Sequence, residues 1–107
     1  MNKVILFGNV GNDPETRKVG ESQVTKFSLA TNKTYNKDGE KKTETQWHNI
    51  VIWGKTAEIA SKYVKKGNSL LIEGEITYRT YTNKEGANVP ITEIIASNIH
   101  FTGNKTA

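Results

Sequence analysis

Gln46-Trp47-His48-Asn49-Ile50-Val51-Ile52-Trp53-Gly54 reads as one extended strand with two different faces. Side chains on a strand alternate, so Trp47 and Trp53 leave one face while Ile50 and Ile52 leave the other. At a rise of roughly 3.3 Å per residue the two indoles stand about 20 Å apart. With the isoleucines turned to a core, both indoles become platforms on which planar groups can stack. The alternative places one of them in the core or in a subunit contact, the commoner fate of a strand aromatic. These residues alone leave both readings open.

The neighbouring segments give the strand its setting. Upstream, Val24 to Tyr35 alternates weakly, with Thr25, Phe27, Leu29 and Thr31 against Lys26, Ser28 and Ala30. The charged stretch Asn36–Lys42 contains an Asp38-Gly39 turn, so the two strands form a long hairpin with a basic tip. Downstream, Lys55 to Lys66 changes to a helical period. Ile59, Ala60, Tyr63 and Val64 share a face there, and Lys65-Lys66-Gly67 supplies a cationic last turn and a glycine stop. Leu70, Ile72, Ile76 and Tyr78 form the core side of a fourth strand, with a bend at Gly74; Asn83–Gly86 turns the chain, and Pro90 to Phe101 is a fifth strand. At the other end, Lys3 to Asn9 is an apolar first strand broken by Gly8-Asn9-Val10-Gly11-Asn12-Asp13-Pro14.

The order is three strands, a helix and two strands. It predicts an all-β domain with one short helix, a five-stranded Greek-key barrel of the OB type over residues 1–102, with the helix between strands three and four and a short frayed C-terminus over 103–107. A small SH3-like barrel would have shorter strands and lack the helix. Such a barrel binds ligands across strands two and three, and the Trp pair falls on strand three.

Composition narrows the function. A chain of 107 residues holds a single domain. Only 35% of residues are hydrophobic, but they cluster in β-branched runs, which argues against disorder. The net charge of +4 suits an anionic partner. The absence of cysteine excludes a disulfide framework and a thiolate metal site, and fits a reducing cytoplasm. The N-terminal apolar run is too short for a signal peptide or membrane span, so no membrane association is expected, and the Asn32-Lys33-Thr34 and Asn104-Lys105-Thr106 glycosylation patterns read as chance.

Catalysis has little support. His48 and His100 sit in different strands without ligand spacing, Glu73 and Glu75 read as strand surface, and Gly8–Gly11 fits neither a Walker A loop nor a dinucleotide fingerprint. The chain is expected to be no enzyme and to need no metal or cofactor.

Asn2-Lys3-Val4-Ile5-Leu6, then Gly8-Asn9-Val10-Gly11-Asn12-Asp13-Pro14-Glu15, Trp47-His48, Gly54-Lys55-Thr56-Ala57-Glu58, Tyr63-Val64-Lys65-Lys66-Gly67 and Ile72-Glu73-Gly74 carry a resemblance in their shared order and spacing. Over residues 2–101 the chain resembles the bacterial single-stranded DNA-binding proteins. The resemblance implies an OB-fold, a homotetramer and sequence-independent binding of single-stranded DNA in replication, recombination and repair.

It also implies base stacking on Tyr35, Trp47, Trp53 and Tyr81. The alternation independently puts Trp47, Trp53 and Tyr81 opposite the apolar positions. A base has a π face whatever its identity, so such platforms hold DNA without reading it. Candidate phosphate contacts are Lys3, Lys33, Lys42, Lys55, Lys66, Arg79 and Lys84, of which Lys33 and Lys84 do not match basic family positions. Asn49 stands where the family often has a basic residue and offers an uncharged hydrogen bond. Lys62 and Lys65 read as solvated helix charges. By the resemblance His48 lies at a subunit contact, and Leu71, apolar on a polar strand side, is a second interface candidate.

The family's long chains continue into a flexible linker with an acidic tip that recruits replication and repair proteins, whereas this sequence stops at Ala107. Those partners are expected only where such a tail is present. The competing reading is an OB-fold primosome or recombination accessory protein acting chiefly through protein contacts, against which all four aromatic platforms argue.

Overall fold

The computed structural model describes residues 1–102, so the expected frayed segment 103–107 lies outside the described residues. Six strands and one helix follow in order: β1 (Val4–Val10), β2 (Glu15–Val19), β3 (Ser22–Lys37), β4 (Glu40–Trp53), α1 (Lys55–Tyr63), β5 (Ser69–Thr82) and β6 (Asn88–Phe101). The sheet runs β1-β5-β6-β4-β3-β2, and a further pairing of β1 with β3 closes it. The closed ring therefore has the five expected strands, with β2 outside it on the edge of β3.

β2 is the element that the sequence reading lacks. Glu15-Thr16-Arg17-Lys18-Val19 is exposed throughout, so it shows no apolar alternation. It is extended because its backbone pairs with β3 from Glu15–Lys26 to Val19–Ser22, and Thr16 and Thr25 share a 2.9 Å hydroxyl hydrogen bond.

Alternation directs the core. Phe27 and Leu29 of β3, Ile50 and Ile52 of β4, Leu70 and Ile72 of β5, and Ile94 and Ala96 of β6 converge inside the ring. β1 meets β3 only at Asn9–Ala30 and Val10–Leu29. The approach is close: a Cβ on Gly8 would lie 2.1 Å from the Ala30 carbonyl oxygen. The bend expected at Gly74 is a shift in the β5–β6 register between Glu73 and Gly74.

Two corrections concern the helix. It ends at Tyr63, short of the expected glycine stop, because Val64 turns extended (φ −83°, ψ 128°) and buries its side chain in the core. Lys65-Lys66-Gly67-Asn68 then forms a separate turn, in which Asn68 Oδ1 accepts from the Lys65 amide and the Gly67 amide donates to the Val10 carbonyl. The buried helix residues are Ala57 and Ala60, not Ile59 and Tyr63, which are exposed. Small side chains bring the helix close to the barrel, where Thr25 Oγ1 donates to the Ala57 carbonyl at 2.9 Å.

The β3–β4 and β5–β6 hairpins outgrow the barrel. Two residues, Asp38 and Gly39, both at positive φ, make the whole turn of the first, a tighter tip than the expected seven-residue loop. These ribbons give a radius of gyration of 15.5 Å, against about 13 Å for a compact chain of 100 residues.

Candidate nucleic-acid interface

Strand register builds one continuous outer face. Directly opposed residues project to the same side of a sheet. Across β2, β3 and β4 this gives the rows Arg17–Val24–Trp53 and Glu15–Lys26–Val51, then Ser28–Asn49 and Ala30–Trp47 on β3 and β4. The parallel β4–β6 pairing sets Glu93 beside Asn49, and β5–β6 pairing adds Arg79 opposite Ile91 and Tyr81 opposite Val89. A groove of about 250 Å³ opens on this face, lined by Lys26, Ser28, Asn49, Arg79 and Glu93 among others.

The two indoles are exposed, Trp47 by 62% and Trp53 by 46%, while Ile50 and Ile52 are fully buried. The strand is thus two-sided as its alternation predicts, and the core reading of the indoles falls away. Trp47 does not swing freely, because its ring rests on the β1–β2 loop. A Cβ on Gly11 would lie 2.3 Å from Trp47 Cζ3, so this loop position must carry no side chain. The loop is held in place from both sides. The Gly11 amide donates to the Ser28 carbonyl at 2.8 Å, and Asn12 Oδ1 accepts from the Ser28 amide at 2.9 Å. Asp13 Oδ1 accepts from the Lys66 amide at 3.0 Å, which brings the lysine turn to the same loop.

Tyr81 lies on the outer face of β5, in line with Arg79. Tyr35 does not join that surface. Its register partner is Lys42, and alternation puts both on the reverse side of the ribbon from Trp47, where the hairpin is exposed on both faces. An aromatic ring and a cation are nonetheless directly opposed there.

The expected phosphate contacts separate into groups. Lys55 is exposed at the helix start and Lys84 in the β5–β6 turn, each at a margin of the structure. Lys33 opposes Glu44 in register, and Lys42 Nζ lies 3.4 Å from Glu40. Lys3 lies away from the indoles, 3.8 Å from Glu73 on the β1–β5 wall. Asn49 is on the outer face and donates to the Thr92 carbonyl at 3.2 Å.

Arg79 is the most constrained. Its Nε and Nη2 donate to Glu93 Oε1 and Oε2 at 2.8 and 3.0 Å, and Glu93 is only 5% exposed. This fork holds the Glu93 carboxyl below the usual carboxylate range, outweighing the burial that pushes it up; the charges of Arg79 and Lys26 act with the fork. The same pair raises Arg79 above its ordinary value.

Arg17 and Lys26 are also on this face, outside the contacts expected from the sequence. Lys26 was legible, since it alternates against Thr25 and Phe27. Arg17 was not, because only the β2–β3 register sets it in the Trp53 row. The interface candidates occupy different walls. Leu71 is half-buried opposite Phe7 and His100, whereas His48 opposes Leu29 and shares a 2.9 Å hydrogen bond with Thr31 Oγ1.

The model of the single-strand binding protein family matches residues 1–102. The chain belongs to that family. A single-stranded DNA-binding protein of Xanthomonas axonopodis pv. citri is 39% identical over 107 residues, covering 98% of this chain and 59% of the relative. Single-stranded DNA-binding protein 1 of Chlorobaculum tepidum is 42% identical over 108 residues, covering 98% and 67%. The chain thus spans about three fifths to two thirds of the length of these family members. Among solved structures, the Plasmodium falciparum SSB in complex with ssDNA superposes with a TM-score of 0.88 at 31% identity, covering 96% of each chain. The family's barrel is the ring of β1, β3, β4, β6 and β5 described above.

Proposed function

We propose that this chain binds and protects single-stranded DNA without regard to sequence, in replication, recombination and repair, and that it does so as a binding protein and not as an enzyme. The observation that carries the reading is the pair of exposed indoles on the outer face of β4, flanked by Lys26 and Arg17 and backed by a rigid barrel. Stacking on Trp47, Trp53 and Tyr81 supplies roughly 1–3 kcal/mol per base, and it is indifferent to base identity. Tyr35 with Lys42 extends the track along the reverse face of the hairpin, so the strand has to wrap. Phosphates meet Lys26 and Arg17 on the face and Lys33, Lys42, Lys55, Lys66 and Lys84 around it, while Asn49 and Arg79 contribute hydrogen bonds.

The working unit of the proposal is a homotetramer. Ile5 and Phe7 are 57% and 60% exposed beside Leu71, and the outer edge of β1 from Val4 to Phe7 has no strand partner among the described residues. A second copy covers such a wall. The setting is the cytoplasm, at the nucleoid, and replication and repair proteins join through a C-terminal tail where the full protein has one.

Titration with oligo-dT, followed by intrinsic tryptophan fluorescence, tests this reading. Strong quenching that saturates at tens of nucleotides per tetramer is expected, since each OB-fold covers roughly 4–16 nucleotides. Unchanged fluorescence in excess DNA would remove it.

A further inference from the structure

A buried carboxylate on the floor of a groove that takes a polyanion is the opposite of what simple charge matching requires. Glu93 occupies that place. It is 5% exposed and lines the groove between the indole-bearing β4 and the tyrosine-bearing β5. Both of its oxygens are taken by one guanidinium, with Arg79 Nε at 2.8 Å and Nη2 at 3.0 Å. Its backbone carbonyl accepts from Thr77 Oγ1 at 3.4 Å, and Asn49 is its register neighbour on β4. Arg79 carries five N–H groups, so three are not engaged by Glu93, and its side chain is 48% exposed.

We infer that Glu93 is a positioning residue of the nucleic-acid groove: its carboxylate holds the Arg79 guanidinium flat across the β5–β6 hairpin and cancels its charge. Arg79 then presents directed hydrogen bonds without adding net positive charge. The inference rests on the single-stranded DNA reading above and deepens it.

The consequence is electrostatic. Each phosphate neutralised by a free cation releases counterions and steepens the log-log salt dependence of single-strand binding by about 0.7. A cation already neutralised by a buried partner contributes little to that slope. Arg79 orients the strand, while Lys26, Arg17 and the peripheral lysines carry the salt dependence. The fork geometry suits this use, since two parallel N–H···O bonds fix the guanidinium plane, which a lysine ammonium could not do.

Four chains test the inference: the unaltered protein, Glu93→Gln, Arg79→Gln and the double variant, each titrated with oligo-dT over a series of salt concentrations. Thermal melting confirms the fold of each. The expected result for Glu93→Gln is tighter binding at low salt and a slope steeper by about 0.7, as one groove cation is released. A merely structural role would not move the slope upward, so a folded Glu93→Gln with the original slope overturns the inference. Should Glu93→Gln not fold, the other pair decides. Arg79→Gln leaves the carboxylate uncompensated in the groove, and the double variant removes it. A double variant that keeps the salt slope of the unaltered protein supports the inference; a slope shallower by about 0.7, the loss of one acting cation, overturns it. Absence of binding by the unaltered protein removes the DNA reading itself and this inference with it, an outcome distinct from an unchanged slope.

Discussion

The barrel exposes apolar side chains on two walls that are built differently. On β4, Trp47 and Trp53 stand beside Asn49, Lys26 and Arg17, so flat rings are interleaved with polar and cationic groups. On β1 and β5, Ile5 and Phe7 stand beside Leu71, and the nearby Glu73 is occupied by Lys3 at 3.8 Å and His100 at 3.2 Å. Exposed apolar area is therefore not one signal. On the proposed reading its company sets the partner: stacked planes with anionic links on the first wall, and a second copy of the chain on the other.

Breaking the first wall should have the largest effect. Trp47→Ala with Trp53→Ala removes two stacking platforms and should weaken oligo-dT binding by about 2–6 kcal/mol, at roughly 1–3 per base. Calorimetric melting should change little, since substitutions at exposed sites usually shift stability by about 0.5 kcal/mol or less. Loss of folding in parallel with binding would merge the walls into one structural role. On the second wall, Phe7→Glu should weaken self-association by about tenfold or more, from the roughly 1.5–3 kcal/mol of burying such a side chain. Sedimentation velocity reads that change, and each dissociated chain should still quench with DNA.

A finer test moves an indole without removing it. Gly11→Ala places a methyl group where the Trp47 ring now rests. It should shift tryptophan emission and weaken binding by about 1 kcal/mol, the lower end of one stacking contact. The smallest effect concerns pH. Because the folded-state pKa of Glu93 is depressed, its contribution to stability is complete above the ordinary carboxylate range, near 4.3. That contribution is lost as the pH falls through the folded-state value, since protonation breaks the pairing with Arg79. Melting temperature should hold between pH 7 and about 5 and decline below, and Glu93→Gln should lessen the decline.

Much of this was legible along the chain because alternation is a strong signal wherever one face is buried. Ile50 and Ile52 against Trp47 and Trp53 gave the strand and its sidedness without any tertiary information, while the exposure of the rings needed the fold. Alternation was silent where neither face is buried, which is why Glu15–Val19 carries no strand signal and Arg17 is not among the expected contacts. In the helix, the expected face of Ile59, Ala60, Tyr63 and Val64 held for Ala60 and Val64, whereas close packing on the barrel took Ala57 in place of the larger Ile59 and Tyr63. Glu93 was hidden for another reason. A glutamate on a strand is ordinarily surface, and only the fold brings Arg79 across the hairpin to take both of its oxygens.

The parallel seam between β4 and β6 has a consequence for how the molecule holds together. It spans only Asn49–Val51 against Glu93–Ile95, whereas the β3–β4 hairpin is paired from Val24–Trp53 to Lys37–Glu40. Each hairpin joins residues close in sequence and closes a short loop, but the seam joins residues more than forty positions apart and the β1–β5 ladder residues sixty or more apart, so loop-closure entropy weighs on both far more than on either hairpin. The two locally zipped hairpins then meet along this short line, and β1 joins them a second time through its ladder with β5 and its two pairs with β3. Asn49 and Glu93 face each other across that line, so on the proposed reading a DNA strand running from Trp47 toward Tyr81 would cross the joint and tie the hairpins together.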